Sequence, residues 1–530
     1  MKQTASIIFR STLLIMLGVV LGIFISRDDF TGQPFNFSKR NDKMTQVLQL
    51  VQQNYVDSVD VDSIEGETIN ELLQKLDPHS LYLPARQATA VNERLEGGFT
   101  GFGIEYHLLR DTFIVTQVYS GGPAAKAGLT GGTRIISVNN KKFSGTGLTD
   151  EGIANVLRAD KNVPLQISVL EPGSSVPKNL TLKQGRVPLS SLDAAYITAG
   201  DVGYIKISKF AATTDVDFRK AIGNLKARGM KKLVLDLRGN GGGYLNAATA
   251  LADEFLDKDK LIVYTKGIHE PRTDYFATDS GAYQTGKLAL LIDEHSASAS
   301  EILAGALQDL DRAVIVGRRS FGKGLVQQQF QFRDSSAVNL TVARYYTPSG
   351  RSIQKSYSQG VESYRRELAE RMRKGELFSA ESNMNDSVMK KKSPYHTTSG
   401  KKVFSGGGIM PDVFVPADTA QNAALVNELA NMQLFTAYVL DKMQPLLKEY
   451  DRQDAFINGY TVSDAMFIDF ILYAGQTLKT LNPQEAVASK NTIKMLIKAN
   501  AARFKWGDTA YFRAVNDGDL ALSKAIASIN

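Results

Sequence analysis

The sequence predicts a multidomain α/β protein: an α/β core with a mixed sheet, an inserted β-rich domain, and helical regions at both ends. Three observations predict this fold class. The chain has 530 residues, too many for a single hydrophobic core. Apolar strand-like runs alternate with helical stretches between residues 186 and 415. Glycine turns and short β runs replace that pattern between residues 98 and 185, which indicates a separate domain.

The composition is that of an ordinary globular protein, and it excludes several classes of function. The chain is 43% hydrophobic and 22% charged, and its net charge of +7 is a mild surplus for this length. It has no block of Lys and Arg with interleaved aromatic residues, so nucleic acid is not an expected partner. The absence of cysteine excludes disulfides, zinc thiolate sites and cysteine nucleophiles. The five histidines lack metal-ligand spacing, so neither a metal nor another cofactor is expected.

The N-terminus, residues 1–30, has the pattern of an export signal. Lys2 and Arg10 precede an uncharged apolar stretch, 11–26, that ends at Arg27. No small-x-small cleavage site precedes Arg27, which favours an uncleaved membrane anchor over a cleaved signal peptide. The positive flank should stay in the cytoplasm, so an anchor in a bacterial inner membrane would place the rest of the chain in the periplasm. A cleaved signal would leave it periplasmic or secreted.

The remaining elements follow from hydrophobic spacing. Residues 31–97 have helical spacing that ends at Leu76-Asp-Pro-His-Ser80. The β-rich domain is predicted to contain strands 112–118, 134–138, 164–170 and 180–183 and a helix at 150–158, and the core strands 202–207, 232–237, 261–264, 288–292 and 313–316. The charged stretch 356–399 suggests a solvated excursion. Residues 416–530 are predicted to form a helical C-terminal domain.

The first candidate for chemistry is the run His295-Ser-Ala-Ser-Ala-Ser-Glu301, between an apolar strand and a helix. A serine at a helix N-terminus lies beside main-chain N–H groups and the positive end of the helix dipole, which suits a nucleophile with an oxyanion site. A serine that only caps the helix would give the same Ser-x-x-Glu spacing. A pairing of Ser298 with His295 is disfavoured, because the histidine would have to fold back from the end of the strand.

The second candidate is Phe321-Gly322-Lys323-Gly324, where one lysine stands between glycines. Burial in a close-packed turn lowers the pKa of a lysine, which allows it to act as the base for a serine. An ordinary turn lysine is the plain alternative. The spacing from Gly317 also approaches a phosphate-binding loop, but Gly324 stands where magnesium needs Ser or Thr, and the residues that follow predict a strand.

A third candidate is Leu235-Asp-Leu-Arg-Gly-Asn-Gly-Gly-Gly243, where consecutive glycines close a strand. Glycine N–H groups can face a ligand without steric cost, so this run could supply an oxyanion donor. A flexible strand-to-helix turn would have the same sequence.

Together these segments resemble the carboxyl-terminal processing peptidases, also called tail-specific proteases. The resemblance covers about residues 40–415 and includes, in family order, Leu-Asp-Pro-His-Ser at 76–80, Gly-Phe-Gly-Ile at 101–104, Gly-Gly-Pro-Ala at 121–124, Leu-Arg-Gly-Asn-Gly-Gly-Gly at 237–243, the serine run at 296–300, Phe-Gly-Lys-Gly at 321–324 and Tyr-Thr-Pro-Ser-Gly-Arg-Ser-Ile-Gln at 346–354. It implies that Ser298 is the nucleophile, Lys323 its base and Gln327 the residue that orients the base. It also implies oxyanion donors at Ala299 and Gly242.

The same resemblance implies that residues 98–185 form a PDZ domain. Its loop Gly101-Phe102-Gly103-Ile104 would bind the terminal carboxylate of a substrate, and the tail would lie between 104–107 and the helix at 150–158. A bound tail would favour the arrangement that brings the base to the nucleophile. Expected partners are exported proteins with apolar C-terminal tails, and an adaptor or second copy at the C-terminal domain. The alternatives are a catalytically inactive PDZ scaffold and a nucleotide-binding α/β protein.

Overall fold

The computed structural model describes residues 43–145, 148–157, 163–380, 382, 394–418, 424–478 and 481–530. The predicted anchor at 1–30 lies outside these residues, as do Arg158 and Ala159 at the end of the predicted PDZ helix. The chain divides into two compact units, residues 1–68 and 69–530. In the described part of the chain, no single helix is long and apolar enough to cross a membrane. The helices Gln453–Gly459 and Asp464–Gly475 reach the required length and hydropathy only when taken together, and they meet at a bend of 100°.

The helices are numbered here in chain order. They are Lys43–Asn54 (α1), Val61–Gln74 (α2), Ala85–Leu95 (α3), Pro123–Lys126 (α4), Asp150–Leu157 (α5), Thr214–Ala227 (α6), Leu245–Asp253 (α7), Ala299–Asp309 (α8), Val361–Arg373 (α9), Ala424–Asn431 (α10), Leu434–Tyr438 (α11), Gln444–Lys448 (α12), Gln453–Gly459 (α13), Asp464–Gly475 (α14), Pro483–Ala488 (α15), Lys490–Trp506 (α16), Asp508–Val515 (α17) and Leu520–Ser528 (α18). A π-helical turn, Val439–Met443, joins α11 to α12.

The strands are numbered in the same way. They are Leu81–Leu83 (β1), Gly98–Gly101 (β2), Ile104–Leu109 (β3), Thr112–Val118 (β4), Arg134–Val138 (β5), Lys141–Lys142 (β6), Leu165–Leu170 (β7), Lys178–Leu182 (β8), Gly185–Pro188 (β9), Leu192–Ala199 (β10), Val202–Ile207 (β11), Lys232–Asp236 (β12), Leu261–Lys266 (β13), Thr273–Phe276 (β14), Leu288–Ile292 (β15), Val314–Gly317 (β16), Leu325–Gln331 (β17), Ala337–Tyr346 (β18), Tyr395–His396 (β19), Lys402–Val403 (β20) and Val413–Phe414 (β21).

The core is built on a six-stranded mixed sheet in the order β10-β11-β12-β15-β16-β21. Strand β10 is antiparallel to β11, and the others run parallel. Because both faces are covered, the parallel strands are continuous apolar runs, and every residue of β11 and β15 is buried. Helices α6, α7 and α8 pack on one face through Phe218, Leu251 and Leu303. The carboxyl ends of the parallel strands bring the glycine run and the serine run to one edge of the sheet.

The β-rich domain is an antiparallel sheet in the order β3-β4-β5-β7-β8, with α5 packed on it through the buried Ile153. Strands β2 and β9 pair with each other where the chain enters and leaves this domain. A second core sheet joins β1, β18, β13 and β14, and β17 pairs with β18. The predicted fold class, a multidomain α/β protein with an inserted PDZ domain and helical terminal regions, is confirmed.

The C-terminal helices form two groups. Helices α10 to α16 enclose their own apolar cluster around Phe456, Phe470 and Ile497. The last helix, α18, instead lies on the second face of the core sheet, where Leu522 and Ala525 join the sheet residues in one buried cluster. The predicted domain 416–530 therefore contributes to two cores.

Two elements differ from the sequence-based expectation. Stretch 356–399 was expected to be solvated, but α9 packs on the core and buries Tyr364 and Arg371. The expectation was wrong for Arg371, because its charge is paired: Arg371 and Arg319 both bind the buried Glu376. Most other residues of α9 are exposed. In the helical region 31–97, β1 breaks the helical pattern, since Leu81–Leu83 pairs with the distant strand β18.

Candidate active site

The nucleophile candidate, Ser298, lies in a tight turn between strand β15 and helix α8. Its φ of 55° and ψ of −115° are outside the regions that non-glycine residues usually adopt, which costs about 1–3 kcal/mol. The main-chain N–H of Ala299, the first residue of α8, has no hydrogen-bond partner among the described residues. The turn thus presents a partly exposed serine beside an unused N–H donor and the positive end of a helix.

The glycine run lies against this turn. A Cβ atom at Gly242, whose φ is +106°, would lie 2.8 Å from the carbonyl oxygen of Ala297 and 2.9 Å from Cβ of Ser298. The N–H of the buried Gly242 donates to Oδ1 of Asn240 at 2.8 Å, so this predicted oxyanion donor is occupied. The neighbouring Gly243 is exposed, and its N–H has no hydrogen-bond partner in the described parts of the chain. Gly241 is likewise exposed, and its N–H has no hydrogen-bond partner among the described residues, so Gly241 and Gly243 are the available donors of the run.

The base candidate, Lys323, points its ammonium group at Gln327. Its Nζ donates to Oε1 of Gln327 at 2.8 Å, and Nε2 of Gln327 donates to the carbonyl oxygen of His79 at 2.5 Å. Burial lowers the pKa of Lys323 below its ordinary value, although the charges of Glu301 and Asp77 act in the opposite direction. A lysine in this setting can hold its amine neutral at lower pH than a lysine in water.

The loop 76–80 fixes the carbonyl group that holds Gln327. Oδ1 of Asp77 accepts the N–H groups of His79 and Ser80, both at 2.8 Å, and Oδ2 accepts the Ser80 hydroxyl at 2.7 Å. The ring of His79 pairs with the hydroxyl of Tyr364 at 2.7 Å. Burial, together with the charge of Lys323, lowers the pKa of His79 to about 3, so the ring is neutral near pH 7. Sequence reasoning assigned no role to this loop, because its effect is exerted through a main-chain oxygen.

Glu301 connects the nucleophile turn to the loop of the base. Its carboxylate accepts the N–H groups of Ser298 at 2.9 Å, Gly322 at 2.7 Å and Lys323 at 2.8 Å, and the hydroxyl of Ser320 at 2.5 Å. Complete burial raises its pKa to about 7 in spite of these four donors. In the sequence, the Ser-x-x-Glu spacing from Ser298 marks Glu301, but this spacing by itself predicts only a helix cap.

Ser298, Ala299, Lys323 and Gln327 line one cavity of about 480 Å³. The Tyr345 hydroxyl lies 3.1 Å from the carbonyl oxygen of Ser298 and 2.6 Å from that of Lys323. Among the described residues no hydrogen bond joins Nζ of Lys323 to Oγ of Ser298. The predicted nucleophile and base thus share a cavity, with the base held by Gln327. The rest of the wall is mixed: its apolar residues include Val91, Leu95, Leu245, Ile302, Leu325 and Val326, and its polar residues include Asn92, Glu96, Gln329 and Asn339.

The predicted carboxylate loop lies apart from this cavity, at the edge of the PDZ sheet. The carbonyl oxygens of Phe102 and Gly103 accept the N–H groups of Ala124 and Tyr119 at 2.9 Å. Their own N–H groups have no hydrogen-bond partner among the described residues, although both residues are buried. Buried N–H groups are rarely left without a partner. The loop therefore offers two donors to a ligand, and Gly101 and Ile104 are the last and first residues of the flanking strands.

Two rival sites can be compared with the structure. The His295 side chain is 59% exposed and lies 3.9 Å from Glu294, with no hydrogen bond to Ser298 among the described residues. The residues after Gly324 form strand β17, as the sequence predicted, whereas a phosphate-binding loop requires a helix there.

Comparisons with known proteins match three parts of the chain to families. Residues 201–363 match peptidase family S41, residues 114–169 match the PDZ domain, and residues 425–507 match a family of unknown function (DUF8443). The carboxy-terminal-processing protease of Bartonella bacilliformis is 33% identical over 353 residues, which are 65% of this chain and 80% of that protein. The carboxy-terminal processing protease CtpB of Bacillus subtilis is 32% identical over 61% of this chain and 67% of its own.

Among solved structures, the photosystem II D1 C-terminal processing protease is 28% identical and covers 58% of this chain and 89% of its own, with a TM-score of 0.32. The Bartonella relative carries the assignment, because the similarity extends over most of its length. The chain belongs to peptidase family S41, the carboxy-terminal processing serine proteases, and contains a PDZ domain.

Proposed function

We propose that this protease cleaves exported proteins with a Ser298/Lys323 dyad after capturing their C-terminal tails in its PDZ domain. One observation carries the proposal: Ser298 and a buried lysine of lowered pKa line the same cavity, beside an unpartnered N–H group at Ala299. The dyad needs neither metal nor nucleotide. The apolar part of the cavity wall, which includes Val91, Leu245 and Ile302, could accept apolar side chains near the cleaved bond.

In the proposed reaction, neutral Lys323 takes the proton from the Ser298 hydroxyl as Oγ attacks the carbonyl carbon of the scissile bond. The negative charge on the carbonyl oxygen is stabilised by the N–H groups of Ala299 and of a glycine in the run, for which Gly243 is available. Lys323 then gives the proton to the leaving amine, and the acyl group remains on Ser298. Water then attacks the acyl group. Lys323 takes a proton from the water and returns it to Oγ of Ser298 as the acid product leaves. Attack requires Lys323 to move from Gln327 towards Ser298, a change that tail binding would favour.

Tail capture is supported by the loop at Phe102 and Gly103, whose two N–H groups would bind a carboxylate. The tail would then add as a strand to the edge of β3.

We propose that the N-terminal segment anchors the protease in a bacterial inner membrane, with residues after about 30 in the periplasm. The C-terminal helices would dock an adaptor or a second copy. Fractionation of cells, with protease added to intact and opened spheroplasts, tests this location.

The catalytic proposal is tested with an unfolded protein that ends in an apolar tail. We expect the full-length chain to degrade it without metal or ATP, and we expect Ser298→Ala and Lys323→Ala to lose activity by several orders of magnitude. A wild-type chain that is inert with every tail tried would contradict the proposal and favour an inactive scaffold. Degradation by the Ser298→Ala variant would exclude Ser298 as the nucleophile.

A further inference from the structure

The edge of the PDZ sheet is not open to solvent on all sides, because the C-terminal helices pack beside it. Strand β3 is the first strand of the sheet, and among the described strands it pairs with β4 alone. Ile104, Tyr106 and Leu108 pack on the PDZ core. The intervening residues face the helices: Glu105 pairs with Arg503 at 3.2 Å, and Nδ1 of His107 lies 3.0 Å from Oε1 of Gln433. The helical domain thus covers the outer face of the strand that would receive a tail.

A polar network fixes this contact. Arg503 also pairs with Asp508 at 2.7 Å, and the other oxygen of Asp508 accepts the side-chain N–H of Gln117 on β4 at 3.2 Å. The hydroxyl of Tyr119 donates to Glu105 at 2.7 Å. The strand and the helices are therefore held together by connected, partly buried ion pairs, which define a specific arrangement better than an isolated exposed pair.

A cavity of about 490 Å³ remains between β3 and the helices. It is lined by three consecutive residues of β3, Ile104 to Tyr106, and by helical residues that include Gln433, Thr436 and Leu496. Successive side chains of a strand point to opposite faces, so three consecutive residues border one cavity only where it reaches the edge of the strand. Thr116 on β4 also lines it, so the cavity extends over the outer face of β3 and β4 and borders the edge at which a strand would be added.

We propose that the C-terminal helical domain is the second wall of the tail-binding groove and selects uncharged side chains at alternate positions of the substrate tail. This inference rests on the proposed capture of tails by the PDZ domain. In a tail paired with β3, one set of side chains faces the PDZ core and α5, and the other set enters this cavity. Its volume is within the range of about 300–1,000 Å³ typical of ligand sites.

The charges of the residues that line the cavity determine which side chains of a tail it can accept. Glu105 and Arg503 neutralise each other, and the remaining lining residues carry no formal charge. An Asp or Lys of the tail would lose its hydration there without gaining a free partner, whereas small polar and apolar side chains would not. The helical wall thus restricts the side chains at one set of alternate tail positions, and the PDZ core restricts the side chains at the other set.

Binding of fluorescein-labelled tail peptides to the full-length protein, measured by anisotropy, tests this wall. The peptides carry Asp at each of the last positions in turn, and one peptide ends in an amide instead of a carboxylate. Thr436→Trp fills the cavity, and Val487→Trp is its control, because Val487 is 68% exposed on the same domain. We expect Thr436→Trp to weaken binding of the neutral tail at least about tenfold and the control to leave it unchanged.

A charge swap distinguishes a specific wall from a folding defect. In the wild type, Asp at the positions that enter the cavity should weaken tail binding about tenfold. Thr436→Lys should remove this loss of affinity at those alternate positions only, and Val487→Lys should leave it in place. Tight tail binding by the wild type that neither Thr436 variant alters would overturn the inference and leave tail capture standing. A wild type that binds no tail, or binds the amide as well as the carboxylate, would instead contradict tail capture itself, and the helical wall with it.

Discussion

Glu301 is the residue on which both halves of the site depend. Oε1 accepts Ser320 and Gly322, and Oε2 accepts the N–H groups of Ser298 and Lys323. In Glu301→Gln an amide NH₂ would face two of these donors, at a cost of about 1–3 kcal/mol for each unmet hydrogen bond. We predict a fall in kcat of about 10²-fold or more, measured on a tail-bearing substrate. The control is Glu362→Gln, whose side chain is 67% exposed. Activity within about threefold of wild type would contradict the prediction.

Lys323 determines the pH dependence of cleavage. Its pKa is lowered from 10.5 by burial, which outweighs the opposing charges of Glu301 and Asp77. The base must be neutral to accept a proton, so kcat/KM should rise with pH and level off below pH 10.5. The rate profile of the wild type, measured between pH 5 and the onset of alkaline unfolding, tests this. A midpoint at or above 10.5 would show that burial does not tune this lysine.

At the scale of the element, the glycine run matters because a side chain has no room in it. Gly242 has a φ of +106°, and an added Cβ would lie 3.0 Å from the N–H nitrogen of Ala299. Gly242→Ala should therefore displace the run from the nucleophile turn and reduce kcat by at least about tenfold, since even small misplacement of a catalytic group is costly. The control is Gly223→Ala on α6, where an added Cβ would meet no other atom within 4 Å. Equal kcat in both variants would contradict this role.

The elements also show what the sequence could reveal. Strands β4, β5, β11 and β15 were predicted at their observed bounds, because apolar β runs end at glycine or polar turns. Strand β18 was missed, since its residues are mostly half-buried and two of its three partners, β1 and β13, are distant in sequence. The hydrogen bond from Gln327 to the carbonyl oxygen of His79 joins residues 248 positions apart. No local pattern specifies such a contact.

Charged residues misled the sequence reasoning in one region. The stretch around Arg371 suggested a solvated excursion, yet Arg319, Arg371 and Glu376 are buried together. The charge of a side chain alone does not indicate whether a partner will be present. The dyad candidates, in contrast, could be selected from sequence, because the resemblance to the carboxyl-terminal processing peptidases implies Ser298 and Lys323, whereas the local pattern of each segment also allows a helix cap and an ordinary turn lysine.

At the scale of the whole molecule, the last helix, α18, is part of the protease core. Leu522 on α18 is 3% exposed and belongs to the apolar cluster that covers one face of the central sheet. Leu522→Ala should lower the free energy of unfolding by about 2–5 kcal/mol, measured by urea denaturation. Leu520→Ala on the same helix, where the side chain is 53% exposed, should change it little. Equal denaturation midpoints for the two variants would contradict this packing.

The most direct test of the Ser298/Lys323 mechanism is covalent labelling of the full-length protein with a fluorophosphonate in the presence of a tail peptide. Such probes react with a serine only when its hydroxyl is activated by a base and an oxyanion site. Mass spectrometry of the digested protein should find the adduct on Ser298 in the wild type and no adduct in Lys323→Ala. An adduct on another serine, or undiminished labelling of Ser298 in Lys323→Ala, would contradict the mechanism.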